Sequence, residues 1–147
     1  MDPLQFIVPL DSLEAVRPVI LYGLVFLALA NMVTRYLAHQ RNVDQAEEGG
    51  EEAITRYTPH VVTSFLLILN AFTFTILQSH GGIVVSVLVI GTLIADFFEF
   101  ESRKVEARNG LTIEPPKSAL AGSVLVLAYA GYQSLFFIIQ PVWNAIV

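Results

Sequence analysis

The sequence predicts an all-α integral membrane protein, a bundle of four transmembrane helices with a short amino-terminal interfacial segment. Three observations carry this. From Tyr57 to Ala95 the chain has no Asp, Glu, Lys or Arg, and Gln78-Ser79-His80-Gly81-Gly82 stands at the middle of that run. Roughly 20 predominantly apolar residues cross a bilayer as a helix, so the run predicts two spans joined by a tight turn. No charge follows Lys117, which adds a further apolar stretch at the carboxy terminus. Finally, 147 residues with 54% hydrophobic and 14% charged content leave no room for a large soluble domain beside the spans.

Taken in order, the start Met1-Asp2-Pro3-Leu4-Gln5-Phe6 lacks the basic opening of a signal peptide, and we expect it to be retained. Leu4, Phe6, Ile7, Val8 and Leu10, broken by Pro3 and Pro9, fit a segment lying on the membrane surface. Asp11-Ser12-Leu13-Glu14 has capping-box spacing and predicts a short interfacial helix. The first span covers about residues 18–37, with Pro18 in its first turn and Asn31 as its strongly polar interior group. The acidic connection at 39–56 is expected to be a mobile loop or a frayed helix extension.

The second span covers about 59–77 and the third about 83–98. The third should continue as a charged helix supported by Glu99 with Arg103 and Glu101 with Lys104, and stop at Asn109-Gly110. The fourth, about 118–140, follows Pro115-Pro116, with Pro141 marking its exit and Trp143 at the interface. Small residues recur at helix-packing spacing, as in Gly91 with Ala95, Ser118 with Gly122 and Ala130 with Ser134.

Orientation follows from the cations. Arg35, Arg41 and Arg56 flank the first connection and Arg103, Lys104, Arg108 and Lys117 the third, leaving only Arg17 for the other side. The positive-inside rule places those seven in the cytoplasm and both termini outside the cell membrane.

Composition closes off several function classes. With no Cys there is no disulfide, thiolate metal site or cysteine nucleophile. A net charge of −5 with few, scattered cations argues against nucleic-acid binding. Gly-x-x-x-x-Gly-Lys, His-Glu-x-x-His and Gly-x-Ser-x-Gly are all absent, so no catalytic residue, cofactor or metal site is assigned and the chain is not read as an enzyme.

Four polar residues inside the spans remain as candidates. Asp96 interrupts Leu93-Ile94-Ala95-Asp96-Phe97-Phe98, and an ionisable group there is expensive and usually paired. Folding the hairpin brings it nearest to Ser64 and Thr63, with His60 a turn beyond. We read Asp96 as structural rather than as a proton or ion site, because no second acid lies at matching depth, and we expect Asp96→Asn to be mild. His60 and His80 fall at opposite faces and cannot clamp one haem; His60 is read as an interfacial anchor, while His39 is placed in the polar loop. Asn70 needs an interhelical partner near mid-span, for which Thr92 or Asn31 is available. The aromatic groups Phe72/Phe74, Phe97/Phe98/Phe100 and Phe136/Phe137 are read as packing or lipid-facing surface.

The acidic, lysine-poor loops resemble those of small four-span membrane proteins of haloarchaea. So do Ala46-Glu47-Glu48-Gly49-Gly50-Glu51-Glu52-Ala53, the run from Asp96 to Arg108, and Tyr132-Gln133-Ser134-Leu135-Phe136-Phe137. The resemblance spans the full chain and implies an acidic surface suited to a salt-rich cytoplasm. Comparable proteins look like companions of cytochrome b-type respiratory complexes, which implies an accessory subunit whose partners are the lipid bilayer and other membrane subunits or itself. The alternative is a small oligomeric ion or proton channel or transporter lined by Asp96, Asn70 or His60.

Overall fold

The computed structural model describes residues 10–146, and among them the regular structure is all helical, with no strand. A short helix α1 (Leu10–Ala15) leads into α2 (Arg17–Gly49); α3 (Thr58–Leu77), α4 (Ser79–Arg108) and α5 (Lys117–Ile146) follow. The surface segment expected at Leu4, Phe6, Ile7 and Val8 lies outside the described residues, as do the side chains of Asp11, Phe136 and Phe137. α2, α3 and α4 are each long and apolar enough to cross a membrane.

Four long helices form an up-and-down bundle in which α2 and α4 each pack on both α3 and α5, so that α2 faces α4 across the diagonal. Its core is an apolar layer around Leu24, Leu67, Phe74, Val85, Val89 and Val126. Outside, the pattern is inverted relative to a water-soluble bundle. Only 17% of the apolar stretch of α3 is buried, and Phe26, Phe65, Val87 and Leu125 stand exposed, one on each helix.

The connections differ from expectation in informative ways. α2 does not dissolve into a loop after His39; it runs to Gly49, turns through Gly50 at a φ of 71° and a 3-10 turn (Glu51–Ala53), and folds back. Asn42 Nδ2 donates to the Thr55 carbonyl at 3.0 Å, Gln45 joins Thr55 at 2.9 and 3.1 Å, and Ile54 packs with Phe100 and Ile113 in a small second core. The acidic stretch Glu47–Glu52 is therefore the rim of an ordered turn, because apolar and amide groups on either side of it find buried partners.

α3 and α4 are joined through Gln78 alone, and Gly82 lies so close to α3 that a Cβ there would fall onto the Thr75 backbone. α4 carries its charged extension to Arg108 and ends in a Schellman motif. There the Gly110 N–H, at a φ of 68°, bonds the Ala107 carbonyl and the Leu111 N–H bonds that of Glu106.

α5 continues through Pro141 to Ile146, and one local expectation is corrected. Glu99 turns away from Arg103: its Oε1 accepts from the N–H groups of Ser118 and Ala119 at 2.9 and 3.1 Å. That caps the start of α5, where the preceding Pro116 has no capping side chain to offer.

Candidate functional site

All four long helices meet at one buried ion pair. Arg35 on α2 is fully buried, and its Nε and Nη2 donate to Oδ1 and Oδ2 of Asp96 on α4, both at 2.7 Å. This is the planar, two-pronged geometry for which a guanidinium is suited and an ammonium is not. Two further Arg35 donors are used: Nη1 reaches Ser123 Oγ of α5 at 2.8 Å, and Nη2 also reaches Asn31 Oδ1 at 2.6 Å. His60 of α3 stands 3.1 Å from Asp96 Oδ2 through Nε2, while its Nδ1 is 2.9 Å from the Thr34 hydroxyl. Asn31 Nδ2 completes the network on Thr63 and Ser64 at 3.1 and 2.9 Å.

A second layer lies one to two turns nearer the connections. Arg103 of α4 is buried, donates from Nη1 to Asn42 Oδ1 at 3.0 Å, and has a buried Nε with no partner. Burial pulls Arg103 below its ordinary value, against the opposing charges of Glu99 and Asp96. His39, on α2 rather than in a loop, is likewise lowered, first by burial and then by Arg103. Between the layers is a cavity of about 40 Å³ bordered by Arg35, Arg56, Tyr57, His60, Asp96 and Arg103.

Residues 2–147 match the family described as Domain of unknown function (DUF7313). The chain belongs to that family. No curated protein and no solved structure matches it. What this DUF7313 chain can do must therefore be argued from the side chains. Both oxygens of Asp96 accept from Arg35, and one also contacts His60, which describes a clasp rather than a carboxylate free to exchange protons. Among the described residues no three His, Cys, Asp or Glu side chains come together to hold a metal ion.

The structure places the four candidate residues differently from the sequence reading. Asp96 is paired, but with Arg35, and the hydroxyls of Thr63 and Ser64 go instead to Asn31. His60, read as an interfacial anchor, reaches Asp96 through Nε2 and the Thr34 hydroxyl through Nδ1. Asn31 is a hub of the clasp. Asn70 uses neither Thr92 nor Asn31, donating instead to the Ile20 carbonyl at 3.2 Å, beside Gly23, where there is no side chain to keep α2 and α3 apart.

Sequence reasoning missed Arg35, treating it as one of the cations flanking a loop. A signal was present. Arg35 and Asp96 each fall two residues inside the end of an expected span, and Asn31 with Arg35 has the four-residue spacing of one helix face.

Proposed function

We propose that this DUF7313 chain is an integral membrane protein, crossing the bilayer four times with both termini outside, that serves as an accessory structural subunit of a membrane assembly. The observation that carries the reading is the contrast between an apolar exterior and an ionic clasp hidden inside. Large apolar side chains on every long helix face outward, which suits lipid tails and neighbouring helices. The clasp supplies a directional tie where water exclusion gives no force between helices.

Several features weigh against a channel through a single chain. The interior beyond the clasp is filled by Leu24, Leu67, Phe74, Val85 and Val89, and Asn70 is tied to backbone. α5, with 30 residues and no charge after Lys117, supports a fourth span. Its exposed Val142, Trp143 and Ile146 offer an apolar contact at the outer end. Following the haloarchaeal resemblance, a cytochrome b-type respiratory complex is the first assembly to look for.

Native extraction in mild detergent at high salt tests this. The particle should exceed a monomer with its detergent belt, and a strictly monomeric particle refutes the subunit reading. Single cysteines at Ser79 and Ala46 should label from opposite sides of the membrane, and labelling from one side refutes the topology.

A further inference from the structure

The cavity beside the clasp carries more positive charge than the clasp itself requires. Three guanidinium groups, from Arg35, Arg56 and Arg103, border it against one carboxylate, Asp96. Arg35 and Asp96 neutralise each other with every nitrogen of Arg35 engaged, so the surplus rests on the other two. Arg103 is 6% exposed and its Nε is buried without a partner. Glu99, Asp96 and Glu106 offset part of the Arg103 charge from a distance without a hydrogen bond to it; one Glu99 oxygen caps α5 and the other is buried without a partner. Arg56 is exposed, lies 4.2 Å over the ring of Phe100, and among the described residues has no carboxylate within 4.0 Å.

Burying a guanidinium with an unused N–H is costly unless an anion accompanies it. A water needs roughly 10–15 Å³ of such volume, so about 40 Å³ holds about three to four, against the four oxygens of one tetrahedral oxyanion. The cavity also borders Tyr57 and His60 at the start of α3, the end of the helix dipole that carries partial positive charge.

We infer that this cavity binds a phosphate group through Arg56 and Arg103, with the Arg35–Asp96 pair as its fixed floor. Two sources share the chemistry: the headgroup of an anionic phospholipid, and free phosphate. On the membrane reading the site lies at the cytoplasmic end of the spans, at headgroup depth, where basic pockets between helices meet anionic lipid. The phosphate site itself stands without that reading.

The test uses the full chain in a neutral detergent, at the salt concentration that keeps it folded. Short-chain phosphatidylglycerol and inorganic phosphate are titrated separately and in competition by calorimetry. One saturable site per chain is expected, weakened about tenfold or more by Arg56→Gln and by Arg103→Gln, the loss of one charge-assisted hydrogen bond, and unchanged by Arg108→Gln. Arg103 is buried and its replacement could unfold the chain, so the exposed Arg56 decides. Binding of the lipid alone assigns a headgroup, and equal binding of phosphate with mutual displacement assigns the free anion. No binding of either probe, or affinity unchanged in a folded Arg56→Gln protein, overturns the site. A monomeric particle that still binds phosphate leaves this inference intact while the subunit reading fails.

Discussion

The two ends of the bundle are fastened by different chemistry. At the end bearing the long connections, a buried, two-pronged ion pair crosses the diagonal and draws in one side chain from each remaining helix. At the opposite end the Arg17–Glu14 ion pair is exposed and local in sequence, and the contacts that reach farther along the chain are longer or neutral. Arg17 reaches the Leu77 carbonyl at 3.2 Å and Gln78 Oε1 at 3.4 Å, Gln78 reaches Gln133 at 3.4 Å, and Gln133 reaches the Tyr129 hydroxyl at 3.1 Å. The difference follows from connectivity. At the turn end α3 and α4 are held by a one-residue link and by backbone contact at Gly82, so close packing suffices. At the other end the connections are longer and are themselves folded against α2 and α4, and the directional ion pair adds the tie that crosses between those two helices. The buried charge stands at the end with the longer connections.

The largest effect should come from breaking the clasp on one side only. Arg35→Leu or Asp96→Leu leaves an uncompensated buried charge, a loss of about 3–5 kcal/mol. Asp96→Asn, mild for a solitary carboxylate, should now be nearly as damaging, since the amide cannot neutralise Arg35 and must turn a donor toward it. Pairing Arg35→Met with Asp96→Leu should recover most of the loss, because replacing both partners removes the unpaired charge. Denaturant unfolding in detergent measures all four proteins. A turn-end change such as Gln133→Leu costing as much as Asp96→Leu would erase the contrast between the ends.

The helical class was legible because apolar run length and the Gln78–Gly82 interruption are local signals, as were the charged extension of α4 and its stop at Asn109-Gly110. The clasp was only half legible. Asp96 was conspicuous because an acid in an apolar run has no local excuse, whereas Arg35, next to a polar connection, had one, and orientation rules absorb such cations by default. The partners of Asn70 and Glu99 were out of reach for another reason. Both bond to backbone, Ile20 and the start of α5, and backbone groups carry no residue identity for a sequence to display.

A middle-sized effect separates the glycines. A Cβ at Gly82 meets the Thr75 backbone, which cannot move aside as a side chain can, so Gly82→Ala should push α3 and α4 apart and cost about 1–3 kcal/mol. At Gly122 the nearest obstacle is the Thr92 hydroxyl at 2.5 Å, a side-chain atom whose displacement gives up its bond to the Leu88 carbonyl but leaves backbone in place, so Gly122→Ala should cost less. Gly91 faces open space, contrary to a packing role with Ala95. Gly91→Ala should stabilise the helix by about 0.5–1 kcal/mol. Thermal midpoints of the three variants should fall in that order, and a neutral Gly82→Ala would mean that the turn end is looser than its geometry implies.

The smallest effect belongs to the outermost ion pair. Arg108 holds Glu51 in a two-pronged contact at 2.6 and 2.7 Å, tying the tip of α4 to the turn after α2, but both groups lie where water and salt screen them. The hydrogen bond from Arg108 holds the Glu51 carboxyl below its ordinary value. A carboxyl lowered on folding stabilises fully above its unfolded value, about 4.3, and that contribution fades as pH falls toward and through the folded value. Wild type should therefore exceed Arg108→Gln slightly at neutral pH and low salt, and the gap should close both on acidification through that window and on adding salt. The Arg35–Asp96 clasp, with side chains only 1% and 15% exposed, should lose less of its contribution to added salt. Equal salt dependence at the two ion pairs would show that water reaches the clasp.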